Sequence, residues 1–190
     1  MSSEQTASLV ATYGRAFALG VATGLRSATA LAVMSLAAQP ERPRPLMRGI
    51  EQPWSRLGTR PALSITGLFA LGEDVGDKLP ATPSRTAPAP LGGRIAFGSL
   101  VGSAISRAEG QSPALGAALG ALGALGGSFA GYAYRNAIAT RTKLPDLPFA
   151  LLEDAVAIGI SYLVLQDAFT GEPEATPAES DDLDPAKARR

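Results

Sequence analysis

The chain has 190 residues, the size of one domain, and its 17 basic and 17 acidic residues give a formal net charge of zero. Without a global positive field we expect no nucleic-acid partner. The sequence contains no Cys and no His, which excludes disulfides, thiolate nucleophiles and the most common general base. We expect no cofactor, and the sequence does not indicate a metal. Hydrophobic residues make up 46% of the chain and charged residues 18%, a composition typical of an apolar protein.

Apolar stretches run through most of the chain and predict helices. The stretch 110–134 contains no charged residue and exceeds the roughly 20 residues needed to cross a bilayer core. It also lacks the polar face that a surface helix of a soluble protein needs. The sequence therefore predicts an all-α polytopic membrane helix bundle of four to six helical segments, with a soluble Ala-rich bundle as the alternative. In chain order the predicted helical pieces are 7–23, 25–38, 61–79, 92–106, 113–135 and 147–168.

Polar stretches separate these pieces and suggest the organisation of the chain. Residues 1–6 are expected to form a short N-terminal tail, and 39–60 a polar loop with five arginines. Residues 170–190 carry acids, Pro and Ala with nothing to bury, so we expect a disordered acidic tail. Between these limits, 7–90 is expected to be a first membrane repeat and 91–169 a second.

The expectation of two repeats comes from matches at a nearly constant offset. Residues 69–75 match 149–155, an offset of 80, and Arg15 matches Arg94, an offset of 79. Duplicated halves are typical of transporter folds, whose sites lie near the membrane midplane between the repeats. Three crossings per half would invert the repeats, and two would make them parallel.

Two observations favour different answers to that question. The depths of the matched acids within their predicted helices favour inverted repeats. The positive-inside rule instead favours parallel repeats, because only then does the arginine-rich loop 39–60 share a side with the basic residues of 135–143.

Charged residues inside the apolar stretches form the candidate site for an ion or solute. Burying an acid in a membrane helix costs at least a few kcal/mol, so such residues are candidates for function. They could equally be structural acids in closed salt bridges. A third interpretation is an intramembrane hydrolase, in which two carboxylates share a proton and activate water. The candidate residues are the acids Glu73, Asp74, Glu153 and Asp154, their expected partners Arg26 and Arg94, and the neighbouring Asp77 and Lys78.

Glycines spaced four residues apart predict close contacts between helices. Such a row lies on nearly one helix face, and in lipid it allows two backbones to approach closely. Biased composition is the alternative explanation. The predicted packing residues are Gly116, Gly120, Gly123, Gly127 and Gly131, and the pairs Gly20/Gly24 and Gly98/Gly102 repeat the spacing.

Four short motifs, at 24–27, 72–80, 90–94 and 151–155, resemble a bacterial integral-membrane family catalogued as domain of unknown function 4126. The Asp77-Lys78-Leu79-Pro80 stretch and the Leu-Glu-Asp stretch at 152–154 are the most specific of them. The resemblance covers roughly residues 10–168. It implies a small multi-pass membrane protein and supplies no substrate or reaction.

From the residues we expect a multi-pass protein of the bacterial inner membrane that passes or binds a small ion or solute at a central carboxylate site between two repeats. Its expected partners are the lipid bilayer and that small ion or solute. The alternatives are a non-transporting membrane scaffold with structural salt bridges and an intramembrane hydrolase. The substrate, the orientation in the membrane and the choice between monomer and homo-oligomer stay open.

Overall fold

The computed structural model describes residues 2–76, 87–141 and 147–171, with side chains over 2–73, 87–138 and 148–171. Within these residues there are six α-helices and no strand, so the all-α prediction is confirmed. A short 3-10 helix, Trp54–Gly58, lies in the segment before the third α-helix. The α-helices are α1 Ser3–Leu25, α2 Thr29–Ala37, α3 Arg60–Gly76, α4 Pro88–Ala108, α5 Pro113–Arg141 and α6 Leu147–Thr170.

The first helix starts four residues earlier and ends two residues later than the predicted piece 7–23. Ser2 and Gln5 form a capping box, which satisfies two free amides and extends α1 into the residues expected as a tail. α1 ends at Leu25 because Arg26 adopts an extended backbone, with φ −138° and ψ 110°. The N-cap of α2 is Ala28, which makes no side-chain capping bond. The first amides of α2 therefore need partners from elsewhere in the fold.

Glycines bring α5 into close contact with both α1 and α4. A Cβ added at Gly20 would overlap the carbonyl oxygen of Gly120, and one at Gly127 would overlap that of Val21. On the other side of α5, a Cβ at Gly102 would overlap the carbonyl oxygen of Gly116. Residue numbers at the contacts rise together along α1 and α5, so these two helices are parallel. Along α4 they rise as those of α5 fall, so these two helices are antiparallel. α1 and α4 are therefore antiparallel, with α5 packed against both.

Much of the outer surface is apolar. Leu68 on α3 is 69% exposed and Leu163 on α6 is 64% exposed. Among the described residues, two helices are long and apolar enough to cross a membrane, over Pro113–Ile138 and Pro148–Thr170. Between Asp154 and Asp167, α6 carries no charged side chain on any face, the pattern of a helix surrounded by protein core or by lipid.

The loop 39–60 and Arg135 lie near opposite ends of α6. Within the loop 39–60, the Arg42 guanidinium lies 4.9 Å above the Phe169 ring, close to the C-terminus of α6. Arg135 pairs with Glu153, close to the N-terminus of α6. The loop therefore does not share one end of the bundle with Arg135, the first residue of the basic segment 135–143, because α3 carries the chain from one end of the bundle to the other.

Two neighbouring glycines of α5 offer a direct test of the packing. Gly127→Ala should destabilise the protein by about 1–3 kcal/mol, because the new methyl overlaps the backbone of α1. Gly126→Ala is the matched control, since nothing lies within 4 Å of the added methyl. It should leave stability unchanged or raise it by up to ~1 kcal/mol through helix propensity. Thermal unfolding in detergent measures both, and equal effects would show that the glycines reflect composition alone.

Candidate functional site

In the part of the chain that the structure describes, six charged side chains from α1 with its C-cap, α3, α4, α5 and α6 lie around the chain break between α1 and α2. We call this cluster the charged centre. Arg26 is 3% exposed, Arg94 4% and Glu153 4%, so much of the charge lies away from the surface. Its members are Arg26, Glu73, Arg94, Arg135, Glu153 and Asp154.

Glu73 binds two backbone amides at the start of α2. Its Oε1 accepts a hydrogen bond from the backbone amide of Ser27 at 3.0 Å, and its Oε2 accepts one from that of Ala28, the N-cap residue, at 3.2 Å. These amides precede α2, where the helix dipole favours a negative charge. A carboxylate near the end of α3 therefore satisfies the N-cap amide of α2 and the amide before it, and places a negative charge at this end of the helix.

Arg94 satisfies the other side of the break. Its Nη1 donates to the carbonyl oxygens of Gly24 and Leu25, the latter at 3.0 Å. These are the last carbonyls of α1, where the helix dipole favours a positive charge. Its Nη2 lies 2.9 Å from Oε1 of Glu73. One ion pair, formed by residues of α3 and α4, thus covers the acceptors that end α1 and the donors that begin α2.

The two acids in the first half of α6 bind different arginines. Asp154 pairs with Arg26, the residue at which α1 breaks. Glu153 pairs with Arg135 of α5, with Oε2 and Nε 3.2 Å apart. Each of the three described carboxylates of the charged centre therefore faces a guanidinium. A catalytic dyad would need two carboxylates facing each other, which is not the arrangement formed by these pairs.

The cavity beside the charged centre is apolar. It has a volume of about 280 Å³ and is lined by Leu25, Ala130, Gly131, Tyr134, Leu152, Glu153 and Val156. Among the described lining residues Glu153 is the one that carries a charge, and that carboxylate is bound to Arg135. A cation that has lost its hydration shell needs several oxygen ligands, which the described side chains of this wall do not provide. Among the described residues, no three metal-ligating side chains cluster.

The structure brings five of the eight predicted site residues together, namely Arg26, Glu73, Arg94, Glu153 and Asp154. The side chain of Asp74 and the whole of Asp77 and Lys78 lie outside the described residues. The predicted packing residues Gly116, Gly120, Gly123 and Gly127 all lie against neighbouring helices, and Gly131 is buried.

Sequence reasoning missed Arg135 and a second polar cluster. Arg135 is one of the basic residues of 135–143 that follow the apolar stretch 110–134. Nothing in the sequence shows that α6 brings Glu153 to it. The second cluster lies where α4 turns into α5. There Glu109 accepts hydrogen bonds from Thr12 and from Arg15 Nη1, the latter at 2.8 Å, while Arg15 also lies 3.9 Å from Asp167. The match between Arg15 and Arg94 was the one available signal for this cluster.

Comparison with known proteins identifies a family but no characterised relative. A family model described as domain of unknown function (DUF4126) matches residues 14–169, from the middle of α1 to the end of α6. No curated protein and no solved structure matches the chain.

Neutralising Glu73 tests how much the fold depends on the ion pair at the break. Glu73→Gln removes a negative charge that lies 2.9 Å from the buried guanidinium of Arg94, which should cost about 3–5 kcal/mol. Glu41→Gln is the matched control, because the Glu41–Arg60 pair at 3.1 Å is exposed and should matter little. Thermal unfolding in detergent compares the two. Equal stability of both variants would contradict a structural role for the Glu73–Arg94 pair.

Proposed function

Since the chain belongs to the family described as domain of unknown function 4126, which assigns no activity, we propose its function from the charged centre. We propose a multi-pass membrane protein, placed in a bacterial inner membrane, that binds or passes a small ion or solute at the α1–α2 break. The observation that carries this proposal is the Glu73–Arg94 pair, which covers the backbone groups on both sides of the break.

The membrane placement extends beyond the two apolar spans to the whole bundle. α1, with 23 residues, and α4, with 21, are about 35 and 32 Å long at 1.5 Å per residue, sufficient for a core of about 30 Å. Their many small residues lower their hydropathy without adding a polar face. α2, with nine residues and a length of about 14 Å, covers only part of the way back, and the loop 39–60 completes the return to the level of Phe169. The exposed leucines and aromatics of α3, α5 and α6 then face lipid rather than water.

The break lies inside the membrane in this placement. Arg94 follows the first residue of α4, Pro88, by six residues, and Asp154 follows that of α6, Leu147, by seven, which places the charged centre about 9–10 Å from these helix ends. At that depth irregular backbone is tolerated only where protein buries it or where it lines a water-filled cavity. Discontinuous helices of this kind form the substrate sites of many transporters.

Movement of α3 relative to α4 would separate Glu73 from Arg94 and uncover ligands for a small molecule. A cation could then bind the carbonyl oxygens of Gly24 and Leu25 together with the Glu73 carboxylate. An anion could instead bind the amides of Ser27 and Ala28 with Arg94. In the conformation described the ion pair occupies both positions, so it acts as a closed gate over the break.

The reciprocal placement of two arginines supports the proposed repeat. Arg15 and Arg94 match in sequence. Each lies at the connection between the first two helices of the other half. Arg94 binds the α1–α2 break, and Arg15 binds Glu109 at the α4–α5 turn. Because α1 and α4 are antiparallel, we propose that 7–90 and 91–169 are inverted repeats of three helices each.

A non-transporting membrane scaffold is the second candidate. The equal number of arginines and carboxylates in the described charged centre favours it, as does the apolar cavity beside them. In a scaffold the ion pairs would hold the helices permanently and no ion would replace them.

The membrane placement has a direct test. The full chain, expressed in a bacterium, should sediment with the membrane fraction and remain there after carbonate extraction, because several lipid-facing helices would have to be removed together. Recovery in the soluble fraction without detergent would overturn the placement and, with it, the proposed site.

The choice between transporter and scaffold needs a flux measurement on a variant that keeps its charge. Arg94→Lys keeps the positive charge beside Glu73 but loses the planar fork that holds two carbonyls as well. In proteoliposomes, the parent protein should give flux for one member of a panel of small ions. Arg94→Lys should change that flux at least about tenfold, while the purified variant stays folded and monodisperse. Arg60→Lys, at an exposed position, is the control and should match the parent. Parent protein with no flux above empty liposomes for any member of the panel would favour the scaffold.

A further inference from the structure

The loop 39–60 carries more positive charge than its own residues balance. It contains five arginines and two glutamates. A hydrogen bond from its own backbone amide, and then one from Arg60, lower the pKa of the Glu41 carboxyl, so Glu41 stays ionised and balances Arg60. Among the described residues, no carboxylate lies within salt-bridge distance of Arg44, Arg48 or Arg56.

The loop is held beside the end of an apolar span. Arg42 donates through Nε to the carbonyl oxygen of Leu36, at 3.2 Å, and stacks over Phe169. The methylenes of Arg44 pack against Gly171, immediately after the span that ends at Thr170. These contacts place the arginines at the level where the hydrocarbon core gives way to lipid headgroups. Trp54 is half-buried against the core of the bundle, and aromatic residues of this type are common at that interface.

We propose that the exposed arginines of this loop, Arg44, Arg48 and Arg56, bind the phosphate groups of anionic phospholipids in the leaflet where α6 ends. Guanidinium groups match phosphate geometry through paired hydrogen bonds. The positive-inside rule then places this end of the bundle, with the start of α1, on the cytoplasmic side. This inference rests on the membrane placement in the proposed function, but it requires neither flux nor the charged centre.

Trp54 is the single tryptophan of the chain and reports on this loop directly. Purified protein in neutral detergent is titrated with phosphatidylglycerol, and separately with phosphatidylcholine, while Trp54 fluorescence is followed. We expect a saturable change with phosphatidylglycerol alone, weakened by salt because exposed charges are screened. The combined variant Arg44→Gln, Arg48→Gln and Arg56→Gln should bind about 100-fold more weakly, at about fivefold per arginine.

Two controls separate headgroup binding from general charge effects. Glu51→Gln removes a negative charge from the same loop and should bind at least as tightly as the parent. Lys143→Gln removes a positive charge from the connection between α5 and α6 and should bind as the parent does. Parental affinity in the triple arginine variant would overturn the proposal. Displacement of the lipid by inorganic phosphate at a similar concentration would also overturn it, because the site would then be one for free phosphate.

A negative result in the lipid titration can be distinguished from a negative result in the tests of the proposed function. Absence of flux leaves the lipid titration unaffected, because the titration is made in detergent on a protein that need not transport. Recovery of the chain as a soluble protein would remove the membrane placement, and with it the lipid as the natural ligand, even if phosphatidylglycerol bound.

Discussion

The ion pair between Glu73 and Arg94 holds together the break in the helical backbone between α1 and α2. Breaking a helix exposes carbonyls on one side and amides on the other. Here a guanidinium binds the carbonyls, a carboxylate binds the amides, and the two ions bind each other. Because the two side chains come from α3 and α4, the same contact fixes these helices against the end of α1. The position of α2 depends on it as well, since α2 has no side-chain cap of its own.

This ion pair depends in turn on the glycine packing. A Cβ at Gly24 would overlap backbone atoms of α5 around Ala124 and Ser128. The absence of that Cβ lets α1 lie close enough to α5 for Ser128 Oγ to donate to the Gly24 carbonyl oxygen at 3.3 Å. Arg94 binds the same carbonyl. A larger residue would move α1 away from α5 and disturb the acceptors that Arg94 binds, so close packing and charge pairing act as one unit.

The charged centre and the second polar cluster lie at opposite ends of the α1–α4 pair. Arg94 and Glu109 are fifteen residues apart along α4 and its C-cap, or about 22 Å. Between them lies the seam of small residues that joins α1, α4 and α5. An arginine binds a carboxylate in each of these two polar clusters. The proposed transporter would open one cluster while the other stays closed. A permanent scaffold would use the same contacts only to resist movement.

The class of fold and most members of the charged centre could be predicted from the amino-acid sequence. Long apolar stretches predict helices regardless of what surrounds them, and Arg26, Glu73, Arg94, Glu153 and Asp154 stand out because charge is costly inside such stretches. The sequence also predicts an interruption between the pieces 7–23 and 25–38, close to the observed break after Leu25. The tertiary structure alone decided which acid binds which arginine. It added Arg135 and the cluster around Glu109, and it placed the arginine-rich loop 39–60 at the C-terminal end of α6. The pairing of charged side chains depends on the orientation and register of the helices. Glycine contacts set both, and no local sequence pattern encodes them.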